Sequence, residues 1–500
     1  MIKWGSVSPI QLTGKGNSLT EEVSLPQNST WKGRRKMMLG DTIVAVSTPR
    51  GKGGVALLRV SGPDAISLCN HIFLPKSGKQ LLEVPDRTAV YGSILSLETD
   101  GSAEAIDDGI ATVFRAPASF TGEDTVELCC HGGILLTEMV YTSVLAAGAR
   151  AADAGEFTRR AFLNGKISLS SAESLGNLLE AQTREQVHLA HHGMDGRVDE
   201  KCRAVYDSLC AVLSSIYAKI DYPDEDLAEM SREEIDEQLA VVFGVLEQLA
   251  NTYSTGHAIA EGIATVICGK PNVGKSSLYN CILGRDAAIV TDVKGTTRDI
   301  LTETASFGKV TLRLYDTAGL RDTADPVEQI GIERARLALK DAELVLAVFD
   351  GSISPDREDL ELIEQLKGLS CATVIAVLNK EDIGTGSTEV YTSQFEHTVS
   401  VSAKHGEGIS ALSELVERLF LSEKIDIRRD AVLGNARQHG QALSALSHLR
   451  HAREAIAAGL PLDLCCADVE GAMEAIAQLD GRAISEDIVS QIFSHFCVGK

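Results

Sequence analysis

One stretch of the sequence decides the fold in the middle of the chain: Gly269-Lys270-Pro271-Asn272-Val273-Gly274-Lys275-Ser276. It fits the phosphate-loop pattern G-x-x-x-x-G-K-[ST]. The residues before it, Ile263 to Cys268, predict a buried strand, and those after it, Ser277 to Leu283, predict a helix. Glycines let the backbone wrap closely around a polyphosphate, and the loop N–H groups and the helix N-terminus then point at its negative charge. The pattern therefore predicts an α/β domain that binds a nucleotide.

A second motif indicates that the nucleotide is hydrolysed. Asp316-Thr317-Ala318-Gly319 follows a predicted strand, Val310–Tyr315. The aspartate can act on Mg²⁺ through water, and the glycine N–H can sense the γ-phosphate. In the phosphate loop, Lys275 would reach the β- and γ-phosphates and the Ser276 hydroxyl would bind Mg²⁺.

Two further motifs predict that the base is guanine. Asn379-Lys380-Glu381-Asp382 and Ser402-Ala403-Lys404 each follow an apolar strand. The Asp382 carboxylate only accepts hydrogen bonds, and guanine offers two donors on one edge where adenine has no matching pair. Backbone N–H groups of the second motif would meet the base oxygen. Four motifs in this order predict a domain that binds GTP rather than ATP.

Composition restricts the class of protein around this domain. A chain of 500 residues allows roughly three domains. The net charge of −23 argues against a broad basic face for nucleic acid, so any RNA contact is local or supplied by a partner. Eleven cysteines without a C-x-x-C pair suggest neither a zinc site nor a disulfide framework. No run approaches the roughly 18 apolar residues of a membrane span, and we expect a cytoplasmic protein without membrane contact.

The N-terminal third divides into two parts. Residues 1–40 carry six basic residues against two acidic ones and lack apolar periodicity. They predict a disordered extension or a non-native start upstream of the true one, with an organelle-targeting segment as the alternative. Over 41–164, short strands alternate with helices and predict an α+β domain. Arg59 and Glu127 interrupt apolar strands there, and by themselves they are read most simply as outward-facing strand residues.

Helical patterns occupy 165–261 and resume over 423–500. Ser231 to Glu234 reads as a capping box for one of these helices. Neither segment makes a large bundle alone, which predicts one helical domain with the GTPase domain, 262–422, inserted into it. The predicted core stripes are Val198, Cys202, Val205, Leu209, Val212 and Ile216; Ile235, Leu239, Val242, Leu246 and Leu249; Leu443, Leu446 and Leu449; and Val469, Met473, Ile476 and Leu479.

Seven short motifs along the chain together carry a resemblance to a known family. They are Asp41-Thr-Ile-Val-Ala45, Leu58-Arg-Val-Ser-Gly62, Ser119-Phe-Thr-Gly-Glu-Asp124, Gly155-Glu-Phe-Thr-Arg-Arg-Ala-Phe-Leu-Asn164, Gly295-Thr-Thr-Arg-Asp299, Asp316-Thr-Ala-Gly-Leu-Arg321 and Phe496-Cys-Val-Gly-Lys500. From Asp41 to Lys500 the chain resembles the MnmE (also TrmE) family of bacterial tRNA-modification GTPases. The resemblance implies a multidomain α/β plus all-α fold, with an N-terminal α+β folate-binding domain, a central helical domain and an inserted Ras-like P-loop GTPase domain.

The resemblance also implies a reaction and its components. The chain would be the GTP-hydrolysing subunit of a complex that modifies the wobble uridine, U34, of certain tRNAs. The product carries an aminomethyl or carboxymethylaminomethyl group at carbon 5, and the one-carbon unit comes from a tetrahydrofolate derivative (5-formyl- or methylene-tetrahydrofolate). The implied cofactors are GTP, Mg²⁺, K⁺ and that folate. The implied assembly is a homodimer that forms a heterotetramer with the flavoprotein MnmG (GidA).

Site residues follow from the resemblance position by position. The folate site would use Arg59, Glu127, Lys166 and Lys500. Leu320 occupies the place where many small GTPases have a glutamine, and Arg298 and Arg321 are arginine-finger candidates only by position. The resemblance implies instead that potassium replaces the finger and that Glu328 orients the water. The catalytic set is then Glu328, Lys275 and Thr297; Mg²⁺ is held by Ser276 and Thr297; and K⁺ is held by Asn272, Thr291, Val293 and Thr296.

The implied GTP-binding residues lie in five short stretches of the chain. They are Asn272, Val273, Gly274, Lys275, Ser276 and Ser277; Thr291, Asp292, Val293, Lys294, Gly295, Thr296 and Thr297; Asp316, Thr317, Ala318 and Gly319; Asn379, Lys380 and Asp382; and Ser402, Ala403 and Lys404.

Two alternatives to this function remain at the level of sequence. A GTP-switched ribosome-assembly factor of the Era or Der type would share the GTPase motifs, but it would require a basic RNA-binding module. A stand-alone folate enzyme would not explain why the domains are interleaved. Cys497 also has two interpretations: a nucleophile towards uridine carbon 6, or a packed residue of the C-terminal helix beside Phe493 and Phe496.

Overall fold

The computed structural model describes residues 40–97, 103–221, 230–285, 302–315, 342–368, 372–384, 389–483, 485–494 and 496–499. Several predicted site residues therefore lie outside the described residues. These are Thr291, Asp292, Val293, Lys294, Gly295, Thr296, Thr297, Asp316, Thr317, Ala318, Gly319, Glu328 and Lys500, together with Arg298, Leu320, Arg321 and the extension at 1–39.

The N-terminal part is a seven-stranded sheet whose order is β3-β4-β5-β6-β2-β1-β7. All neighbours are antiparallel except β1 and β7. Alternate residues of the strands pack under two helices in one apolar core, and the opposite face carries Arg59 and Glu127. The strands are β1 (Ile43–Val46), β2 (Val55–Ser61), β3 (Phe73–Pro75), β4 (Thr88–Leu97), β5 (Ala103–Phe114), β6 (Thr125–His131) and β7 (Arg150–Ala151); the helices are α1 (Ala65–Ile72), α2 (Ile134–Ala146) and α3 (Glu156–Leu163).

Five helices follow this sheet: α4 (Leu169–Glu180), α5 (Arg184–Gly193), α6 (Arg197–Asp221), α7 (Arg232–Asn251) and α8 (Tyr253–His257). The predicted capping box is present at the start of α7. The Ser231 side chain accepts a hydrogen bond from the N–H of Glu234, and the Glu234 side chain accepts one from the N–H of Ser231. One turn of π-helix, Ala258–Gly262, then leads directly into the next sheet.

The second sheet has six strands in the order β13-β12-β11-β8-β10-β9, and only β9 is antiparallel to its neighbour. The first strand of this sheet, β8, lies between β10 and β11, where the direction of winding changes. Ligands of open α/β sheets bind at such a switch point. The strands are β8 (Ile263–Cys268), β9 (Thr302–Phe307), β10 (Val310–Tyr315), β11 (Leu344–Asp350), β12 (Thr373–Asn379) and β13 (His397–Ser400); the helices are α9 (Lys275–Arg285), α10 (Arg357–Lys367), α11 (Glu389–Gln394) and α12 (Ile409–Phe420).

The chain then returns to the helical part through α13 (Ala436–Ala457), α14 (Asp463–Leu479) and α15 (Glu486–Ser494). Helices α6 and α7 share one core with α13 and α14, in which Leu209, Leu246, Leu449 and Ile476 are buried. The prediction of one helical unit interrupted by a GTPase fold is therefore confirmed. None of the described helices is both long and apolar enough to cross a membrane.

One predicted core residue is wrong. Leu443 is 48% exposed, whereas Leu446 and Leu449 are buried. Steps of three residues fall about 60° short of a full turn each time, so a stripe spaced only by threes drifts off the buried face. Ala442 and Ala445 are buried on that face instead.

Candidate functional site

The phosphate loop runs from the carboxyl end of β8 to the N-terminus of α9. Its backbone has positive φ at Gly269, Asn272 and Gly274. At Gly274 a Cβ atom would collide with the Asn379 side-chain nitrogen, so only glycine lets the loop approach that residue. The helix then begins at Lys275, which leaves the first N–H groups of α9 at the loop.

Lys275 lies across this loop. Its Nζ donates hydrogen bonds of 2.9 Å to the carbonyl oxygens of Gly269 and Lys270. Phosphate oxygens are stronger acceptors than neutral carbonyls, so a nucleotide can exchange these bonds for its own. Ser276 and Ser277, in the first turn of α9, are exposed, as is Asn272.

Asn379 joins the phosphate loop to the base-recognition loop. Its Nδ2 donates to the carbonyl oxygen of Val273 at 2.8 Å, and its Oδ1 accepts from the N–H of Ala403 at 2.9 Å. Asn379 is 3% exposed, so these hydrogen bonds form with little access to water. Three motifs far apart in the sequence therefore meet at one amide side chain. Since the Ala403 N–H is already engaged there, a bound base must share or replace that bond.

The carboxylate of Asp382 is positioned to accept hydrogen bonds from a base. Ser402 Oγ donates to its Oδ1 at 2.8 Å. This bond holds the pKa of Asp382 below its ordinary value, so the group stays ionised and remains an acceptor only. Lys380, with φ of 69°, donates from Nζ to Asp350 at 2.7 Å, and Lys404 is exposed.

The N-terminal sheet holds a second candidate site. Arg59 on β2 lies directly opposite Glu127 on β6, and its Nη2 donates to Glu127 Oε1 at 2.8 Å. The guanidinium carbon lies 5.9 Å from the ring centroid of Phe120 and 5.8 Å from that of Phe157. With side-chain exposures of 18% and 24%, the pair is partly desolvated yet open to a ligand.

Lys166 contacts the loop that carries Phe120. Its Nζ donates to the carbonyl oxygen of Pro117 at 2.8 Å, and its methylene carbons lie beside Gly122, where a Cβ would be within 3.2 Å of them. Arg59, beside Phe120, and Lys166, bonded to Pro117, therefore both contact this loop.

The C-terminal segment returns to this sheet. Val498 pairs with Ala154 in an antiparallel bridge, and Ser47 Oγ donates to the carbonyl oxygen of Gly499 at 3.2 Å. Ser47 follows β1 by one residue, and Ala45 of β1 lies opposite Arg59. The residue before Lys500 is thus held near the second candidate site, although Lys500 itself lies outside the described residues.

Comparison with known proteins then decides the family. A family model described as the MnmE helical domain matches residues 169–497, and one described as the GTP-binding protein TrmE N-terminus matches residues 42–166. The chain belongs to the MnmE family of tRNA modification GTPases. It is therefore a GTP-binding protein and a GTPase. Its membership of a tRNA modification family disfavours the alternative of a ribosome-assembly factor, which would share the GTPase motifs.

Relatives of this family match nearly the whole chain. The tRNA modification GTPase MnmE of Carboxydothermus hydrogenoformans is 39% identical over 93% of this chain and 100% of its own length. That of Shouchella clausii is 40% identical over 92% and 99%. Among solved structures, the G domain of the T. maritima FeoB iron transporter covers 31% of this chain and 96% of its own at 25% identity. Its TM-score of 0.24 is too low to support any argument.

Sequence reasoning gave no role to a buried charge network that joins the family's N-terminal motifs. Arg160, 5% exposed, donates to Asp41 Oδ1 at 2.6 Å and to Glu156 Oε1 at 2.9 Å. It also reaches Glu123 at 3.2 Å. Burial alone would raise the pKa of Glu156, but hydrogen bonds from Arg150 and Arg160 hold it below its ordinary value. The i, i+4 spacing of Glu156 and Arg160 was the available signal.

Cys497 is not a packed helix residue, so that interpretation is wrong. It follows the end of α15 and is exposed, whereas Phe493 is buried against Phe162 and Phe496. Cys497 lines a cavity of about 870 Å³, whose wall also includes residues of α4, α5 and α13. Its backbone carbonyl accepts a hydrogen bond from the N–H of Gly155 at 3.4 Å, which ties the C-terminus to the start of α3.

Proposed function

We propose that this chain is the GTP-hydrolysing subunit of a complex that modifies U34 of tRNA at carbon 5. The observation that carries the nucleotide part is Asn379, which bonds to Val273 of the phosphate loop and to Ala403 of the base loop. A GTP molecule held between these loops would place its phosphates at Lys275 and its guanine at Asp382. Family membership supports the tRNA part of the proposal.

The proposed catalytic set combines described and undescribed residues. Mg²⁺ and K⁺ are hard cations that take oxygen ligands. Ser276 and Asn272 offer exposed oxygen donors beside Lys275, so the described part of the loop fits both ions. Mg²⁺ would bind Ser276 with Thr297, and K⁺ would bind Asn272 with Thr291, Val293 and Thr296. Glu328 would orient the attacking water, and the ions would neutralise charge that develops on the phosphates.

Potassium activation has a direct test. GTP hydrolysis by the full chain is measured in potassium and in sodium at matched ionic strength. We expect a large potassium-specific stimulation, which Asn272→Gly should abolish. Glycine is the appropriate variant because Asn272 has φ of 64°, where alanine would add backbone strain to the loss of the amide. Equal rates in both salts would overturn the potassium mechanism.

The proposed folate site consists of Arg59, Glu127 and Lys166, with Lys500. A folate glutamate tail is anionic and pairs with arginine and lysine, while a pterin ring presents amide-like donors to a carboxylate. The Arg59–Glu127 pair offers both chemistries, next to Phe120 and Phe157 on which a ring can pack. Calorimetric titration with 5-formyl-tetrahydrofolate tests this assignment, and binding unchanged in Arg59→Met would refute it.

The homodimer is proposed to form through the same sheet. A row of side chains crosses four strands, with Tyr91 opposite Ile110, Ile110 opposite Cys129 and Cys129 opposite Leu57. Tyr91 is 57% exposed and Ile110 is 44% exposed. A second copy of the chain would cover this apolar row. Light scattering should show a dimer that Ile110→Lys converts to a monomer, whereas a monomeric wild type would contradict the proposal.

The complete reaction is tested by reconstitution. The chain is mixed with the flavoprotein MnmG, GTP, a methylene-tetrahydrofolate source and unmodified tRNA, and nucleosides are analysed by mass spectrometry. We expect a 5-aminomethyl or 5-carboxymethylaminomethyl uridine that requires GTP hydrolysis. Co-sedimentation with ribosomal subunits and no modified uridine would favour an assembly factor instead.

The proposal also includes a cytoplasmic location and the division of the chain into domains. The bounds of these domains are 1–40, 41–164, 165–261, 262–422 and 423–500.

A further inference from the structure

Lys270, the second residue of the phosphate loop, binds two aspartates at the start of α10. Its Nζ donates to Asp356 Oδ2 at 2.6 Å and to Asp359 Oδ2 at 2.8 Å. The side chain of Lys270 is 14% exposed and that of Asp359 is 1% exposed. The Asp356 side chain is 52% exposed, so only one of the two carboxylates is buried. The contact still differs from an isolated surface ion pair, because one cation bridges two carboxylates.

The two acceptors are held in place by α10 itself. Asp356 is the N-cap of the helix, and its Oδ1 accepts from the N–H of Asp359 at 3.0 Å. The N–H of Asp356 in turn donates to Asp359 Oδ2 at 3.1 Å. This capping box fixes both carboxylates without any contribution from Lys270. Burial would lower the pKa of Lys270, but the two aspartates hold it above its ordinary value, so the ammonium stays charged.

The main chain of Lys270 also binds the phosphate-binding lysine, Lys275. The carbonyl oxygens of Gly269 and Lys270 accept the two hydrogen bonds from Lys275 Nζ. The residue whose side chain is anchored on α10 therefore also positions Lys275 through its main chain. We call the contacts of Lys270 with Asp356 and Asp359 the anchor. If the anchor is lost, the peptide that holds Lys275 is free to move.

The segment that carries Asp356 and Asp359 also contacts the base-recognition motif. Strand β11 ends at Asp350, which accepts a hydrogen bond from Lys380 Nζ at 2.7 Å. The next residue, Gly351, donates its N–H to the carbonyl oxygen of Asn379 at 2.8 Å. One short segment thus contacts the phosphate loop at Lys270 and the guanine motif at Asn379 and Lys380.

We propose that Lys270 is a positioning residue for nucleotide binding, which holds the phosphate-loop backbone in place through Asp356 and Asp359. Its effect is on the preorganisation of the loop, so it strengthens GDP and GTP binding to the same extent. Uniform binding of this kind lowers KM and leaves kcat little changed. The inference rests on the proposed binding of GTP at this loop.

The test compares nucleotide affinity in variants of the full chain. Lys270→Met keeps the length of the side chain and removes the charge. We expect it to weaken binding of fluorescent GDP and GTP about tenfold, with KM raised and kcat within about twofold. Lys270→Arg can bind both carboxylates, so we expect it to restore affinity to within about twofold of the wild type. A residue that only stabilised the fold would not produce this separation of KM from kcat.

Two more variants control for loss of folding. Asp356→Asn keeps an oxygen that caps α10, since asparagine is as good an N-cap as aspartate, but it removes one charge from the anchor. It should weaken GDP binding in the same direction as Lys270→Met. Lys367→Met removes the 2.7 Å ion pair with Glu364 at the far end of α10 and should leave GDP binding unchanged.

Each outcome decides between the proposals. GDP affinity within twofold of wild type in both Lys270→Met and Asp356→Asn would overturn the positioning role while leaving the nucleotide site intact. Equal losses in Lys270→Met and Lys270→Arg would also overturn it, because the ion pair would then not be the cause. A wild-type chain that binds neither GDP nor GTP would instead refute the nucleotide site, and this inference with it.

Discussion

The two sheets of this protein place their candidate site residues in opposite ways. In the six-stranded, mostly parallel sheet these residues lie in loops at the carboxyl ends of strands, within short contiguous motifs. In the seven-stranded sheet Arg59 and Glu127 lie in the middle of strands, 68 residues apart, and meet because β2 and β6 pair in one register. A site at strand ends can be recognised from local sequence, whereas a site on a sheet face depends on long-range pairing.

The comparison implies two separable sites, and the largest expected effect is on the nucleotide side. Lys275→Ala should weaken GTP binding by at least about a hundredfold, because two charge-assisted bonds to phosphate are lost. Equilibrium binding of fluorescent GTP measures this. Binding of 5-formyl-tetrahydrofolate should stay unchanged, and Lys309→Ala, at an exposed lysine, is the matched control. Full GTP affinity in Lys275→Ala would contradict the assignment of the loop.

The next effect concerns the choice of base. Asp382→Asn should weaken GTP binding by about tenfold or more, because an amide presents a donor where guanine also donates. Xanthosine triphosphate, which carries a carbonyl at that position, should bind better to this variant than to the wild type. Glu381→Gln, one residue earlier and exposed, should change neither affinity. Unaltered selectivity in Asp382→Asn would show that the base is read elsewhere.

A smaller effect is expected on the folate side. Glu127→Gln should weaken binding of 5-formyl-tetrahydrofolate about tenfold, since a neutral amide is a poorer acceptor than a carboxylate and pairs less strongly with Arg59. Titration calorimetry measures this, with Glu138→Gln on the exposed side of α2 as the control. GTP affinity should not change. If GTP affinity falls together with folate affinity, the two sites are coupled rather than separable.

The smallest expected effect lies where the GTPase fold joins the helices. His257 contacts Glu261 at 3.3 Å and Glu343 at 3.4 Å, and these carboxylates hold its pKa above the ordinary value of 6.5 despite its burial. The stabilisation is complete below pH 6.5 and is lost as pH rises through the raised pKa.

The pH dependence of unfolding checks this junction. His257→Gln should lower the midpoint of thermal unfolding by about 2 °C at about pH 6 and by less at about pH 8.5. His188→Gln, at an exposed histidine of α5, serves as the control. A difference that grows with pH would mean that the neutral imidazole is the stabilising form.

Much of the fold could be predicted because its signals are local. The strand predicted before the phosphate loop, Ile263–Cys268, has those bounds in the structure, and the capping box at Ser231 is formed. Leu443 was predicted wrongly because helix phase is set by packing against α7 and α14, which spacing alone does not reveal. The predicted roles of Glu328, Thr297 and Lys500 stay predictions, since those residues lie outside the described ones.

The sequence by itself determined the nucleotide chemistry, because a phosphate loop and a guanine motif each need only a few consecutive residues after a strand. Only the tertiary structure decided which distant residues support them. It placed Lys270 on Asp356 and Asp359, and it paired Arg59 with Glu127. Such contacts arise from helix capping and strand register, which depend on the packed arrangement of whole elements and therefore leave no short motif behind.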